Sequence, residues 1–140
     1  MDREVIVPTS MRRIAEEKGY APAVRAGGLL FVAGQVGRTA DLQVIDDPEA
    51  QFAACFENLR LVLEAAGCGF DDIVDMTTYH IDLDRHWEVF RTVKNRVLPR
   101  GTIPLTCVGV TALAQPGLLL EVKAIAVAPI RERNGESSSA

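Results

Sequence analysis

The segment from Leu118 to Val127 constrains the fold more than any other part of the chain. Every second position carries a small or aliphatic residue, at Leu120, Val122, Ala124 and Ala126. The positions between them mix charged and aliphatic side chains, at Glu121, Lys123, Ile125 and Val127. Such alternation is typical of a strand whose two faces differ. We therefore expect a sheet that packs against helices on one face and offers the other to a pocket or to another subunit.

Two segments have the apolar periodicity of amphipathic helices. The first runs from about Pro48 to Ala66, with Asp47 before it as an N-cap and Gly67 after it as the C-cap residue. The second runs from about Arg85 to Val97, and Asp84 is its expected cap. Both helices are long enough to cover a sheet face.

Six further runs, rich in aliphatic and β-branched residues, predict strands. They are Glu4–Val7, Ala23–Arg25, Leu29–Ala33, Asp72–Ile81, Leu105–Val110 and Leu118–Val127. Residues 9–18 fit either a helical turn or a loop. The order βββαβαββ favours an α+β fold, a mixed sheet with two helices packed on one face. We expect one domain over residues 1–130 and a flexible polar tail over residues 131–140.

Composition excludes several classes of protein. The chain has 140 residues and a net charge of −4, so a basic nucleic-acid surface is not expected. No apolar run approaches the roughly 18 residues of a membrane span, and the first residues lack a secretory signal. Two histidines cannot form a three-histidine metal site, and the three cysteines lack metal-site spacing. We expect reduced thiols, a cytoplasmic location, no metal and no cofactor.

Three residues are candidates for chemistry, and each has a plainer alternative. Glu121 interrupts an apolar strand, where a partly buried carboxylate can act as an acid or base or position a water. It could instead pair with Lys123 or simply be exposed. Cys107 could touch a ligand or be an inert buried thiol, because no histidine lies nearby in sequence to activate it. Tyr20 could cover a ligand or be a packed loop aromatic.

Four segments together resemble the RidA/YjgF family, also labelled endoribonuclease L-PSP. They are Leu29–Gly37, Gln51–Gly67, Asp71–Leu83 and Leu120–Val127. The most specific matches are Gln51 and Asn58 on the first helix and the run from Glu121 to Ala126. The resemblance covers about residues 4–128, in order and with compatible spacing.

The resemblance implies a chorismate-mutase-like fold and a homotrimer with ligand pockets between subunits. Well-studied members hydrolyse imines and enamines to a keto acid and ammonia. In them an arginine pairs with the substrate carboxylate and a glutamate positions the hydrolytic water. Glu121 matches that glutamate, Tyr20 matches the tyrosine of the loop before the second strand, and Thr106 and Cys107 match the strand after the arginine.

Three positions depart from the family pattern. Leu105 stands where the arginine is expected, Ala33 replaces a serine and Phe90 replaces a helix asparagine. The resemblance thus gives Glu121 as the catalytic candidate and six substrate-binding candidates, Tyr20, Ala33, Phe90, Leu105, Thr106 and Cys107. Leucine cannot form a charge-assisted pair with a carboxylate, so we expect a substrate that is neutral or more apolar than an amino-acid imine. Arg25 or Arg100 could supply a displaced charge.

Three functions follow as hypotheses. The first is an imine or enamine hydrolase (deaminase) acting at clefts between subunits. The second is a non-catalytic trimer that binds a small ligand or has a regulatory role. The third, ranked last, is an endoribonuclease, because an acidic chain with few aromatics is poorly suited to RNA. The expected partners are other copies of the chain and a small molecule, with neither a membrane nor a nucleic acid.

Overall fold

The computed structural model describes residues 2–129 and consists of six strands and two long helices. In chain order these are β1 (Arg3–Ile6), β2 (Ala23–Ala26), β3 (Leu29–Val36), α1 (Pro48–Ala65), β4 (Ile73–His80), α2 (Leu83–Val97), β5 (Leu105–Gly109) and β6 (Leu120–Val127). Residues 9–18 form two short helical segments, Thr9–Met11 and Ile14–Lys18. The predicted polar tail at residues 131–140 lies outside the described residues.

The strands form one sheet in the order β1-β2-β3-β6-β4-β5. All neighbouring strands are antiparallel except β4 and β5, which are parallel. The predicted α+β fold and the mixed sheet are therefore confirmed. Among residues 2–129, no helix combines the length and the apolarity that crossing a membrane requires.

Both helices cover the same face of the sheet, as predicted. The inward residues of β6 are at most 2% exposed, at Leu120, Val122, Ala124 and Ala126. The α1 residues Phe52, Phe56, Leu59 and Leu63 are fully buried. Phe90 of α2 makes ring contacts with Phe52 and Phe56 and with His80 of β4. One core thus lies between the helix pair and the sheet.

The two helices differ in how well their starts could be predicted. The Asp47 side chain accepts a hydrogen bond from the Ala50 amide at 2.9 Å, which confirms the N-cap of α1. The predicted cap of α2 at Asp84 is wrong, because that helix already begins at Leu83. Asp82 holds the cap position with φ of +50° and makes no side-chain cap hydrogen bond. Asp82 and Asp84 are both of a residue type favoured at N-caps, so residue type alone does not locate the start of α2.

A β-bulge in β4 changes which face its first residues occupy. Strict alternation predicts that Ile73 shares a face with Thr77 and Tyr79, which would leave it on the open side. The pairing of β4 with β6 shifts between Ile73 and Asp75, so Ile73 is buried at 3% exposure and Val74 is 44% exposed. An inserted residue reverses the alternation on one side of a bulge.

The buried amide of Gln51 connects α1 to two loops. Its Nε2 donates to the carbonyls of Ile45 at 2.8 Å and Gly117 at 3.0 Å. Its Oε1 accepts from the Leu119 amide at 2.6 Å. The side chain is fully buried and every polar atom is used. The amide thus fixes the loop that leads into β6 relative to the helix.

We predict that Gln51→Leu lowers the free energy of unfolding by roughly 3 kcal/mol, because buried backbone groups lose their partners. Chemical denaturation monitored by circular dichroism measures this loss. Gln43→Leu is the matched control, since Gln43 is exposed and its side chain has no such role. An equal loss in both variants would contradict the structural role of Gln51.

His80 is a buried histidine whose ring is only partly hydrogen-bonded. It is 1% exposed, and its Nε2 lies 2.7 Å from the Thr78 hydroxyl. Its Nδ1 is buried with no partner among residues 2–129. Burial lowers the pKa of the His80 ring below its usual value, because the charged form is poorly solvated there.

This lowered pKa predicts a loss of stability in acid. The unfolded chain takes up a proton on this histidine near pH 6.5, whereas the folded protein takes it up only at a lower pH. The stability that His80 contributes is therefore complete above about pH 6.5 and declines as the pH falls toward the folded-state pKa. We expect His80→Gln to show a smaller decrease in free energy of unfolding between pH 7 and pH 5 than the wild type. Equal decreases would contradict the assignment.

Candidate functional site

Glu121 lies on the open face of the sheet, away from both helices. It is half-buried, and in the sheet register it is opposite Val36 of β3 and Tyr79 of β4. Its side chain lies directly against Gly34, where a Cβ atom would overlap with its Oε2, Cδ and Cγ. The missing side chain at position 34 thus provides the space that the carboxylate occupies.

The Glu121 carboxylate has no counter-ion among residues 2–129. In the described part of the chain it takes part in no hydrogen bond and no ion pair. Lys123 occupies the same face but is exposed and forms no ion pair with it. The alternative of a structural Glu121–Lys123 pair is therefore not what the fold contains. The oxygen lone pairs of this carboxylate remain available to a water or a ligand.

A cavity of about 180 Å³ lies beside the last residues of β3. Here β3 extends beyond β2, whose pairing ends at Val32, and the segment at residues 9–20 covers the gap. Tyr20, Gly34, Arg38 and Asn58 all line the cavity. Glu121 does not line it but lies against Gly34, which does. The predicted residue Tyr20 is therefore 41% exposed at a cavity wall rather than packed in the core.

The sequence analysis does not identify Arg38, whose positively charged side chain lines this cavity. Its Nη2 donates to the Tyr20 hydroxyl at 3.1 Å and its Nη1 donates to Gln115 Oε1 at 3.1 Å. The Asn58 amide donates to the carbonyls of Val36 at 2.8 Å and Arg38 at 3.3 Å, which fixes the backbone that carries the guanidinium. No local pattern marks Arg38, because its two side-chain partners are distant in sequence.

Three predicted residues lie elsewhere, on the edge strand β5. Since β4 separates β5 from β6, the backbone of β5 lies about 10 Å from that of Glu121. Leu105 and Cys107 are half-buried and pack against the core on the helix side, whereas Thr106 is exposed and paired with Thr77. Leu105 also lines a second cavity of about 240 Å³, together with Lys94 and Arg100.

The remaining predicted residues are not part of either cavity wall. Ala33 is half-buried in the irregular stretch of β3 beside Gly34 and donates its amide to Pro22 O at 2.8 Å. Phe90 is fully buried among the rings of the core, on the opposite side of the sheet from Glu121. Within one chain, Glu121 contacts Gly34, next to Ala33, and Gly34 shares a cavity wall with Tyr20. Phe90, Leu105, Thr106 and Cys107 lie elsewhere.

Arg25 has a structural role and is not a displaced ligand cation. It is 4% exposed, and its guanidinium donates to Glu4, to the Ala66 carbonyl at 2.7 Å and to the Pro129 carbonyl at 2.8 Å. These contacts connect β1, the end of α1 and the end of β6. The expectation that Arg25 could hold a ligand is therefore wrong, because its donors are already committed.

The fully buried thiol of Cys55 on α1 is not a nucleophile. Its Sγ donates to the Leu120 carbonyl at 3.5 Å. Burial raises the pKa of the Cys55 thiol far above its usual value, and the negative charge of Glu121 raises it further. A thiol that stays protonated reacts slowly.

The contact between Gly34 and Glu121 can be tested by a double-mutant cycle. We predict that Gly34→Ala lowers the free energy of unfolding by about 1–3 kcal/mol, because the new methyl group displaces the Glu121 side chain. In a Glu121→Ala background the same substitution should cost less, giving a coupling energy of about 1 kcal/mol or more. Thermal and chemical denaturation of the four proteins measure it. Additive effects would contradict the contact.

Comparison with known proteins identifies the family of the chain. The model of the family described as "Endoribonuclease L-PSP" matches residues 10–128. The chain is 41% identical over 130 residues to the RutC family protein YjgH of Escherichia coli, covering 92% of this chain and 98% of that protein. It is 30% identical over 115 residues to a 2-iminobutanoate/2-iminopropanoate deaminase of Salmonella typhimurium, covering 77% of this chain and 86% of that protein.

Solved structures give the same assignment. A structure of protein YJGH has a TM-score of 0.87 and 39% identity and covers 94% of this chain and all of that one. A YjgF/YER057c/UK114 family member from Mycobacterium tuberculosis has a TM-score of 0.74 and 31% identity, with 90% of this chain and 99% of that one covered. The chain therefore belongs to the RidA/YjgF family.

Proposed function

We propose that this protein hydrolyses imines or enamines of small molecules, with Glu121 as the catalytic residue. The observation that carries the proposal is the unpaired, half-buried Glu121 carboxylate against Gly34. Such a carboxylate can hold a water by one lone pair and accept its proton as the oxygen attacks carbon. The name of the similar Salmonella typhimurium protein, a 2-iminobutanoate/2-iminopropanoate deaminase, supports this class of reaction.

The reaction needs only water and one proton acceptor. The substrate reacts as its protonated form, an iminium, which an enamine becomes by taking a proton from solvent at carbon. Water adds to the carbon of the C=N bond while Glu121 takes one of its protons, which gives a neutral carbinolamine. Glu121 returns that proton to nitrogen, and the C–N bond then breaks as the carbinolamine hydroxyl passes its proton to the departing ammonia, so that an ammonium ion and a carbonyl form. The carboxylate ends the cycle in its starting state, and no redox partner is required.

Self-association would complete the site and is part of the proposal. The open face carries exposed apolar side chains at Val5, Phe31, Val108 and Val127. An apolar face of this kind is typical of a surface that another protein covers. We propose a homotrimer in which β5 of one subunit, with Leu105, Thr106 and Cys107, approaches the Glu121 side of the next. The substrate would be neutral, or more apolar than an amino-acid imine, because Leu105 offers no positive charge.

A binding or regulatory trimer without turnover is the second candidate. Leu105 packs against the core, and the guanidinium of Arg25 is buried and bonded to Glu4 and to backbone carbonyls, so neither supplies the family's carboxylate partner. Loss of that partner would allow a ligand to bind without the orientation that reaction needs. A small molecule that binds and is recovered unchanged, with no imine hydrolysed, is the result that this alternative expects.

Two finer expectations stay with the proposal. A cytoplasmic location agrees with the free thiols of Cys55 and Cys107. Ribonuclease activity remains the lowest-ranked function, because the net charge of −4 opposes binding to a polyanion. If RNA cleavage keeps a constant specific activity through purification and is lost in Glu121→Gln, ribonuclease activity would replace imine hydrolysis as the proposed function.

The experiment measures ammonia release from freshly generated 2-aminoacrylate and from a panel of more apolar imines. We predict that Glu121→Gln lowers the rate by about 100-fold or more, because the proton acceptor is lost. Glu88→Gln is the matched control, since Glu88 is exposed on α2 and should keep the wild-type rate. Light scattering on each variant verifies that the oligomer is unchanged.

Leu105→Arg distinguishes two reasons for which the wild type would be inactive on 2-aminoacrylate: either the site lacks a positive charge for the carboxylate, or the site does not hydrolyse imines at all. If this variant gains activity that the wild type lacks, the rest of the site is competent and the natural substrate lacks that carboxylate. If the wild type releases no ammonia from any imine and Leu105→Arg gains none, the hydrolase proposal fails and the binding role takes its place.

A further inference from the structure

The cavity beside the end of β3 contains a guanidinium that no carboxylate neutralises. Among the described residues that line this cavity, Arg38 is the one charged side chain. Its two side-chain partners, Tyr20 and Gln115, are neutral. Its Nε is buried and has no acceptor within residues 2–129. A guanidinium has five N–H donors, so this one is held in place but only partly used.

What distinguishes Arg38 from the other described arginines without an ion pair is its Nε, which is buried at a cavity wall and unpartnered within residues 2–129. Arg13 pairs with Glu17 and Asp41, Arg25 with Glu4, and Arg60 with Glu57 and Glu64. Arg38 forms no ion pair in the described part of the chain, although acidic residues outnumber basic ones overall. A fixed, uncompensated cation at a cavity wall attracts an anion.

The apolar walls and the volume of the cavity limit the non-ionic part of the ligand to a small aliphatic group. Met11, Ile14 and Leu61 contribute apolar walls, and the volume of about 180 Å³ admits only a small molecule. A planar carboxylate matches the planar donors of a guanidinium better than a spherical anion does. We infer that Arg38 binds the carboxylate of a small aliphatic acid in this cavity, within a single chain and independently of β5.

This inference rests on the proposed function, because it takes the bound acid to be the substrate of the proposed reaction, and it specifies the chemistry of that substrate. Gly34 belongs both to the cavity wall and to the contact with Glu121, so one residue connects the proposed ligand site with the proposed catalytic residue. The substrate would then be more apolar than an amino-acid imine in its body and yet carry one negative charge. The charge would be bound at position 38, whereas the family binds it at the position of Leu105.

Two unreactive probes of matched shape test the inference, sodium 3-methylbutanoate and the neutral 3-methylbutanamide. Titrations followed by amide NMR, at constant ionic strength, give both dissociation constants. We expect wild-type protein to bind the carboxylate at least about tenfold more tightly than the amide. The shifted resonances should be those of Tyr20, Gly34 and Arg38, and not those around Arg100 in the second cavity.

Variants assign the preference to Arg38. Arg38→Gln should remove the preference for the carboxylate, whereas Arg12→Gln should keep it, because Arg12 is exposed nearby and does not line the cavity. Arg38→Lys, which retains the charge, should keep a weakened preference and serves if the glutamine variant does not fold. Equal binding of the two probes to the wild type, an unchanged preference in Arg38→Gln, or shifts centred on Arg100 would each overturn the inference.

The outcome is separable from that of the proposed reaction. If no imine is hydrolysed but the Arg38-dependent preference is present, the reaction fails and the carboxylate site stands. If carboxylate-bearing imines are hydrolysed at the wild-type rate by Arg38→Gln, the site fails and the reaction stands.

Discussion

The packing of α1 against β3 and β6 is the contact on which the other features of the protein depend. The apolar stripe of α1 is fully buried against the inward residues of β6. Burying these side chains supplies the main favourable term in folding, at about 25 cal/mol per Å² of apolar surface. Gln51 adds specificity, since its amide fixes where the loop before β6 lies relative to α1. This packing determines the register of β6, the strand that carries Glu121.

The same packing leaves the second face of the sheet uncovered. Because side chains alternate along β6, placing Val122 in the core necessarily places Glu121 on the open face. There the carboxylate lies against Gly34, beside the irregular pairing of β3 with β6 between Val32 and Gln35. A one-residue slip of β6 would bury the charge and expose the apolar row, at a large free-energy cost. The register of β6 that buries its apolar row is thus the same register that places the proposed catalytic residue on the open face.

The parts of the fold that could be predicted are those with local causes. The limits of α1 follow from Asp47, whose side chain caps the helix, and from Gly67, whose φ of +78° suits glycine. The start of α2 could not be predicted from residue type, because Asp82 and Asp84 both suit an N-cap and only the structure shows that Asp82 holds that position. The reversal of faces at Ile73 also escaped prediction, since a bulge depends on the partner strand and leaves no periodic signal.

In the candidate site too, the residue with a local sequence pattern could be predicted and the residue without one could not. Glu121 could be recognised because a lone carboxylate interrupts an apolar strand, whereas Arg38 belongs to a loop with no pattern around it. Its orientation depends on Tyr20, 18 residues away, and on Gln115, 77 residues away. Only the folded structure shows that the side-chain partners of Arg38 are these two neutral residues.

Gly34 connects the two charged groups of the site. Its backbone forms part of the cavity that contains Arg38, and its missing side chain makes room for Glu121. Residues of β5 take no part in this arrangement, so its geometry is set within one chain, before any second subunit is added. Arg38 therefore provides a positive charge at a cavity wall that includes Gly34, the residue that Glu121 contacts. In this protein, the carboxylate and the guanidinium are both positioned by the last four residues of β3 and the loop that follows them.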